Sequence, residues 1–517
     1  MREADIVVMN RSVDAQAGLV LIYLAALALV LIPIAAVVFP PLLDYPSQLA
    51  RIFITQNIAS FTDFYELSPT LPPNIAGESL IRFLTVFVPI ETAGRLFIAF
   101  TIAVQLSGVA MLNYAIWRRW DMWAVPLIGA LFVYGWTMQM GFLNYLFASG
   151  LLLWALALLF LADRWSRPMQ AILATGIGVV LAFAHVVSLV LLIVVVGACQ
   201  LQRGVTSRSW GPLFAQWQID VPLLLVLALF MSARVAVDGG PLVWTTELHT
   251  KVLQLINAVD LGFADKLSTL GVMAVLVLCV RYSARVHSHS EMLFAFVALF
   301  IVYLVAPHKI AGGAYLDARI PGLIVLVVIA SLRIEFRSRR RTRAFLAVVL
   351  ALLAARSVLL SADFRRFEAD AEVMVRALDD VPEHGVVMVA VDGTSPQAGW
   401  WGRQRRLWHV ADLAALRKPL FVLTTHALPL QHTIVCRQRW QPFYEKLGNV
   451  PLWLETDPEL DDALLTFRHA VRRAERDASP GRFPMYVLLL GPHDLRDSMM
   501  RRGAVMAVER DFLLVRL

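Results

Sequence analysis

Long apolar runs constrain this chain more than any other feature of its sequence. Before position 361 these runs recur with lengths of roughly 18–25 residues, which a helix needs to cross a hydrocarbon core of about 30 Å. Of the 517 residues, 58% are hydrophobic and 16% are charged, whereas soluble domains are about 45–50% apolar and about one-quarter charged. The pattern therefore argues against a soluble multidomain enzyme and predicts an integral membrane protein.

Hydropathy predicts about eleven membrane spans. They cover residues 17–39, 91–117, 122–139, 142–163, 169–184, 187–201, 220–235, 267–283, 291–307, 318–334 and 344–361. The fifth and sixth spans are short and meet at Ala184 and His185. A broken helix or a re-entrant hairpin is left open there.

The placement of arginine predicts the orientation of these spans. With the N-terminus inside, every predicted cytoplasmic segment holds at least two arginines and the outer segments hold few, as the positive-inside rule requires. The cluster at 337–343 lies between two apolar spans, so we interpret it as an anchor on anionic lipid and expect no nucleic-acid partner. An odd number of spans then places residues 362–517 outside the cytoplasm.

The C-terminal region is predicted to be a small α/β domain. Apolar runs at 386–391 and 485–490 predict buried strands, 505–508 and 512–515 predict a hairpin, and 461–476 has helical spacing. The predicted organisation is a transmembrane domain, 1–361, with a long first outer loop, 40–90, and a periplasmic domain, 362–517. The three cysteines lack the spacing of a metal site, and no metal-ligating residues are predicted.

The first outer loop is the strongest functional signal, because long ordered loops tend to carry function. Asp44 follows the end of an apolar helix, where partial desolvation raises the basicity of a carboxylate that aqueous acceptors still reach. Asp44 is therefore a candidate general base. The alternative is that Asp44 caps the amphipathic helix that follows, since Asp44 and Ser47 are both good N-cap residues.

Several short strings resemble those of a known family. They are Asp44-Tyr45-Pro46 followed by Leu49-Ala50-Arg51, Pro73-Asn74, and Gly141-Phe142-Leu143-Asn144-Tyr145. With the long acidic loop, the span number and the C-terminal domain, the chain resembles the GT-C glycosyltransferases and related uncharacterised bacterial membrane proteins. The resemblance covers residues 17–361 as architecture. Gln48 departs from it, because those bacterial proteins commonly carry histidine there.

The resemblance implies an inverting transfer from a polyprenyl-phosphate sugar to an extracytoplasmic glycan, lipid or protein, with Asp44 removing the acceptor proton. It implies a bacterial inner membrane with a cytoplasmic N-terminus, membrane lipid as a partner, and no certain cofactor, with a divalent cation left open. The leaving phosphate needs positive charge, for which the candidates are Arg51, Lys309, Arg319 and His308. Candidates for contacts with the acceptor or sugar are Gln48, Asn74, Asn144, Tyr145, His185 and Asp317.

Other interpretations stay open at this point. A noncatalytic GT-C-like assembly protein is consistent with Gln48 and with the lack of a distinctive second acidic motif. A transporter or flippase of a lipid-linked glycan would favour similar halves and paired charges within spans, which the sequence does not display. Asp317 and Arg319 are alternatively a surface ion pair contributing at most about 1 kcal/mol. Aromatic side chains in a predicted loop of the C-terminal domain could stack on carbohydrate, or they could rest on the membrane surface or pack within the domain. They are Trp400, Trp401, Trp408 and His409.

Overall fold

The structure is a computed structural model that describes most of the chain. It describes residues 3–517 except 71, 121, 212–214, 233–241, 246, 259–272, 275–276, 278–279, 282–283, 311–312, 399–402, 430 and 477–480. The side chains of residues 3–15 and of Arg403 also lie outside the description. The predicted span 267–283 falls largely on residues that are not described, as do Trp400 and Trp401.

The chain divides into two compact units. The first unit comprises Met1–Ala36, Asn74–Gly77 and Leu96–Ala362, and the second comprises Val37–Pro73, Glu78–Arg95 and Asp363–Leu517. Most of the first loop therefore belongs to the same unit as the C-terminal region. The boundary predicted near 361 separates the membrane-spanning region from the C-terminal domain, whereas the two units are defined by packing contacts. That boundary stays a prediction.

The first unit is built from apolar helices. The helices in or entering this unit are Glu3–Ala35, Ile90–Trp117, Ala124–Leu131, Trp136–Gln139, Leu143–Leu161, Arg167–Ser207, Trp217–Ser232, Leu248–Ala258, Ser290–Val305, Leu316–Ser331 and Arg339–Ala377. Two short antiparallel pairs join them: Ala284–Ser288 with Leu332–Phe336, and Lys309–Ile310 with Gly313–Ala314.

Within the described residues, five helices are long and apolar enough to cross a membrane. They correspond to the predicted spans 17–39, 91–117 and 142–163, to the predicted pair 169–184 and 187–201, which lies in one long helix, and to 344–361; two shorter apolar helices match 220–235 and 291–307. A membrane protein is confirmed, whereas the number of eleven spans stays a prediction. The span predicted at 122–139 is two helices separated by a break before Trp136.

The segment 167–207 is continuous except at one residue. His185 has extended backbone angles, φ −169° and ψ 113°, so two helical segments meet there across a kink. The kink lies where the fifth and sixth predicted spans meet, and a broken helix is one of the two alternatives left open there. The segment packs against the helices Leu143–Leu161, Trp217–Ser232 and Ser290–Val305.

Small residues let two helices of this unit approach closely. A Cβ added to Gly108 would lie 2.9 Å from the Gly150 carbonyl oxygen, and one added to Gly150 would lie 2.9 Å from the Gln105 nitrogen. Small residues at such crossings are typical of membrane helix packing, where close backbone contact replaces hydrophobic association.

The second unit is organised around a mixed sheet. Its strands, in spatial order, are Ala504–Val508, Phe512–Arg516, Met485–Leu490, Val386–Asp392 and Phe421–Val422, with Leu452–Leu454 also paired to Val386–Asp392. The strand Val386–Asp392 is buried along its whole length and lies parallel to Met485–Leu490. A continuous apolar run is expected for a parallel strand covered on both faces.

The predicted elements of this unit are confirmed. Both buried strands are present, and Ala504–Val508 pairs antiparallel with Phe512–Arg516 as the expected hairpin. The helix predicted at 461–476 spans Asp457–Glu475, beginning earlier because Thr456 and Glu459 form a capping box.

The first loop packs onto this sheet. It contributes the helices Tyr45–Gln56 and Ala76–Leu84, the 3₁₀ turn Ile58–Phe61 and the strand Tyr65–Leu67, which pairs antiparallel with Ile434–Cys436. The remaining helices are Gln441–Leu447 and Arg496–Met500, and the main 3₁₀ helices are Arg403–Leu407 and Val410–Leu416. Phe64 of the loop stacks on Phe421, with ring centres 5.2 Å apart, so loop and sheet share one core.

Candidate functional site

Asp44 lies at the N-cap position of the helix Tyr45–Gln56. Within the described chain, its side chain forms no capping hydrogen bond with that helix, so the capping alternative does not describe its role. The carboxylate is 19% exposed, and its Oδ1 lies 3.9 Å from Nε2 of His409. The candidate base thus remains accessible while facing an imidazole.

His409 is held from its other side. Its Nδ1 lies 3.1 Å from the Thr424 carbonyl oxygen and 3.3 Å from Oδ2 of Asp412. Because both neighbours are acceptors, Nδ1 carries the proton and Nε2 is the atom directed at Asp44. Thr424 also donates its hydroxyl to Oδ1 of Asp412 at 2.6 Å, which fixes the supporting carboxylate.

The charged groups around His409 shift its pKa. Burial of the ring opposes protonation, but the hydrogen bond and charge of Asp412, with the charge of Asp44 and the Thr424 carbonyl, raise the pKa of His409 above its ordinary value. His409 is 1% exposed, so the predicted use of this ring as an open stacking surface for carbohydrate is not supported by its burial.

Two more imidazoles complete a histidine–aspartate cluster, which we define as Asp44, His409, Asp412, His426 and His432. The rings of His409 and His426 meet edge to face at 4.7 Å, and those of His426 and His432 stack at 5.5 Å. The pKa of His432 lies well below its usual range, mainly because the ring is buried and also because Arg51 is positively charged. The pKa of His426 is also well below its usual range, because of burial and the charges of His409, His432 and Arg51.

Arg51, a predicted phosphate ligand, lies on the same helix as Asp44 but faces a carboxylate. Its Nε is 3.4 Å from Oε2 of Glu78, and both side chains are buried. Glu78 also accepts a hydrogen bond from Thr433 at 2.6 Å. The roles predicted for Arg51 and for the partly buried Gln48 stay predictions.

In the first unit, several predicted site residues meet around Arg319. Its Nη1 lies 3.1 Å from Nε2 of His185, and its guanidinium carbon is 4.0 Å from the ring centre of Phe142. Tyr145 donates its hydroxyl to the Arg319 carbonyl oxygen at 3.1 Å. We call Arg319, His185, Tyr145, Asn144 and Asn74 the arginine–histidine cluster.

Asn74 and Asn144 stabilise the kink in this cluster. Because His185 is extended, the N–H of Val186 lacks its helical acceptor and donates to Oδ1 of Asn74 at 3.2 Å. Asn144 donates to the Asn74 carbonyl oxygen at 2.9 Å. Asn74 has a φ of 59°, a left-handed conformation that asparagine adopts more readily than most residues.

Asp317 forms a separate buried ion network. It is completely buried and lies 2.6 Å from Nζ of Lys251 and 2.9 Å from Nδ1 of His308. Gln254 and Thr245 also donate to it, so the interpretation of Asp317 as part of a surface ion pair is wrong. Lys309 is exposed on the neighbouring hairpin.

Comparison with known proteins identifies the fold. No family model and no curated protein matches this chain. The solved structure of ArnT from Cupriavidus metallidurans in the apo state matches with a TM-score of 0.53 and 12% identity, covering 97% of this chain and 98% of that one. The same protein bound to undecaprenyl phosphate matches with a TM-score of 0.52 and 12% identity, covering 96% and 97%.

The chain has the fold of this ArnT. The family resemblance drawn from the first loop and the span pattern is thereby confirmed for architecture. At 12% identity the likeness shows the fold alone, so the roles of individual residues in this chain rest on its own geometry.

The partners of Asp44 were missed by sequence reasoning. His409 and His426 come from a region more than 300 residues further along, and only the tertiary fold brings them to the first loop. A signal was present, because three histidines and Asp412 occur between 409 and 432. Without a fold that segment had no visible connection to Asp44.

Proposed function

We propose that this protein transfers a sugar from a polyprenyl-phosphate donor to an extracytoplasmic acceptor. The acceptor hydroxyl oxygen forms a bond to the sugar C1 while the bond from C1 to the phosphate oxygen breaks. The hydroxyl proton passes to Asp44, and the polyprenyl phosphate leaves with the bonding electron pair. Attack opposite the leaving phosphate inverts the configuration at C1.

The observation that carries this proposal is the GT-C fold matched along 97% of the chain. The matched ArnT has been solved with undecaprenyl phosphate bound, and that carrier lipid is the product expected from the proposed donor. The lipid tail requires a membrane protein with apolar helices, which this chain has.

Asp44 is the carboxylate best suited to accept the proton. It is partly exposed, faces His409 and is not used to cap its helix within the described chain. Asp63 is held by Arg439 and Arg482, and Glu78 is held by Arg51. These two carboxylates are therefore engaged in ion pairs that stabilise the second unit.

Arg319 is our first choice for binding the donor phosphate. It lies in the first turn of the helix Leu316–Ser331, next to His185, and guanidinium groups bind phosphate oxygens in a bidentate manner. Lys251 and Arg51 are each held by a buried carboxylate. Lys309 remains a second candidate because it is exposed.

The test uses the full-length protein in lipid nanodiscs. Lipid-linked sugars extracted from bacterial membranes serve as donors and a bacterial membrane extract supplies acceptors, while mass spectrometry follows the release of polyprenyl phosphate. We expect release that depends on the protein and on the acceptor extract, with a matching gain of one sugar mass on an acceptor.

Binding of undecaprenyl phosphate is measured in parallel by native mass spectrometry. We expect the carrier lipid to bind more tightly than phosphatidic acid, which has a similar headgroup charge but a different tail. Equal binding of both lipids, together with no release of polyprenyl phosphate from any donor, would contradict the proposed transfer.

A further inference from the structure

Three side chains of the second unit converge from distant parts of the chain. One atom from each of Asp44, His409 and His426 lies within 4.8 Å of the other two. We propose that these side chains bind a divalent transition-metal ion, with zinc as the best-matched ion. This inference goes beyond the proposed transfer, because ion binding is measured without any sugar donor.

The distance between Asp44 and His409 suits coordination after a small side-chain movement. Ligand atoms bound to one zinc ion at about 2.0–2.1 Å stand about 3.3–3.5 Å apart in a tetrahedron. Oδ1 of Asp44 and Nε2 of His409 are 3.9 Å apart, so closing this pair requires a shift of about 0.5 Å. A rotation of the partly exposed Asp44 side chain supplies such a shift.

His409 is oriented as metal-binding histidines usually are. A coordinating imidazole typically donates its other N–H to a carboxylate or a backbone carbonyl, which fixes the tautomer. Here Nδ1 of His409 has both kinds of acceptor, the Thr424 carbonyl oxygen and Asp412. Nε2 is therefore the coordinating atom, and it already points to Asp44.

His426 is fixed to the helix that carries Asp44. Its backbone N–H donates to Oγ of Ser47 at 2.8 Å, and Ser47 is fully buried. His432 stacks behind its ring, and Nδ1 of His432 accepts a hydrogen bond from the Leu428 N–H. The second ligand is thus positioned by backbone and stacking contacts that do not depend on an ion.

The donor set selects the class of ion. Two imidazole nitrogens and one carboxylate oxygen suit zinc and neighbouring transition metals, whereas magnesium and calcium prefer oxygen ligands. Three protein ligands also leave a fourth position for water or substrate, as in catalytic zinc sites.

The charges around the site are compatible with a cation. Asp44 and Asp412 are both carboxylates of the cluster, and the charge of Arg51 opposes them at His426 and His432. Arg51 is itself paired with Glu78 at 3.4 Å, which offsets its repulsion. A carboxylate has two oxygens, so coordination through one oxygen of Asp44 does not exclude proton acceptance by the other.

The experiment is a metal titration of the full-length protein, purified without a polyhistidine tag and stripped with a chelator. Calorimetry with zinc sulfate should show one tight site per chain, and magnesium chloride should bind at least 100-fold more weakly. His409→Ala and His426→Ala should each weaken zinc binding at least 100-fold. Asp412→Asn should weaken it about 10- to 100-fold, because it removes only the support of His409.

The matched control is His493→Ala, because His493 lies in the same unit with a half-exposed side chain next to Asp494. Its zinc affinity should equal that of the unaltered protein. Zinc binding that persists unchanged in both His409→Ala and His426→Ala, or no tight zinc site in the unaltered protein, overturns the inference.

X-ray absorption of the zinc-loaded, unaltered protein gives a readout that does not depend on the folding of variants. The zinc edge should show two imidazole ligands and lighter oxygen ligands, and a spectrum without imidazole overturns the site. Tight zinc binding without sugar transfer contradicts the proposed function alone. Transfer by a protein that binds no zinc contradicts this inference alone.

Discussion

Each unit holds an aspartate next to a histidine, and the two carboxylates differ in their exposure to solvent and in their distance from that histidine. In the first unit, Asp317 is completely buried and receives hydrogen bonds from Lys251 and His308. In the second unit, Asp44 is 19% exposed and lies 3.9 Å from Nε2 of His409. Asp317 is thus closed off from solvent, whereas solvent reaches Asp44.

This difference indicates which of the two carboxylates can take part in a reaction or bind an ion. A buried carboxylate with a close cation stabilises the fold, and removing one partner leaves an uncompensated buried charge. A partly exposed carboxylate beside an oriented imidazole can take up a proton or bind an ion. Changing Asp317 should therefore affect stability, whereas changing Asp44 should affect function.

The largest effect on stability is expected from Asp317→Asn. The substitution leaves the ammonium of Lys251 buried beside a neutral amide, which typically costs about 3–5 kcal/mol. We expect a strongly lowered thermal unfolding midpoint for the protein in detergent, measured by circular dichroism during heating. Asp44→Asn measured in the same way should stay close to the unaltered protein, and equal losses in both variants would remove the distinction between the two carboxylates.

A smaller effect is expected at Arg319. Arg319→Gln keeps a polar side chain near His185 but removes the cation, and we expect about tenfold weaker binding of undecaprenyl phosphate, or about 1.4 kcal/mol. The measurement is a lipid titration in nanodiscs by native mass spectrometry. Arg333→Gln is the control, because Arg333 pairs with Glu335 elsewhere in the first unit; an equal loss there would show a general charge effect.

Asn74→Ala should cost about 1 kcal/mol, because the N–H of Val186 loses its acceptor. The left-handed backbone of Asn74 adds to this loss, since alanine adopts that conformation less readily. Asn74→Asp retains an acceptor oxygen and should recover most of the stability. Thermal unfolding of the two variants side by side checks this, and identical midpoints would contradict the capping role.

The smallest expected effect is a pH-dependent change in stability at Asp63. This third carboxylate is partly buried and forms ion pairs. Burial works against its charge, but Arg482, Arg439 and His384 outweigh burial and lower its pKa. Because the pKa of Asp63 is lower in the folded protein, its charge stabilises the fold at a pH above its pKa in the unfolded chain, about 3.9. This stabilisation is lost as the pH falls through the pKa of the folded protein. Asp63→Asn should therefore lower the thermal midpoint at pH 6 more than at pH 3.5, and an equal difference at both values would contradict the assignment.

Much of the fold followed from local patterns. The strand Val386–Asp392 and the hairpin at 504–516 were predictable because their apolar periodicity reports burial directly. The predicted span 344–361 belongs to a helix that continues to Ala377, because hydropathy detects the apolar part of a helix and not its polar continuation. The packing of the first loop against the sheet was not predictable, since it depends on contacts between residues far apart in sequence.

The candidate site was predictable only in part. Asp44 could be identified from its place after an apolar helix and from the short string that follows it. Gln48 suggested that a histidine was missing from the first loop, yet the fold brings His409 to Asp44 from the C-terminal region. A histidine supplied from elsewhere weakens the argument from Gln48 for a noncatalytic protein.

The most direct test of the central claim is the transfer rate of Asp44→Asn, measured as polyprenyl phosphate released from the donor extract. The substitution removes a proton acceptor, whose contribution is typically about 100- to 10,000-fold, and we predict a fall of that size in a normally folded protein. Asp494→Asn is the matched control, an exposed aspartate beside His493 in the same unit, and it should transfer at the unaltered rate. A normally folded Asp44→Asn protein that transfers sugar at the full rate would contradict the account.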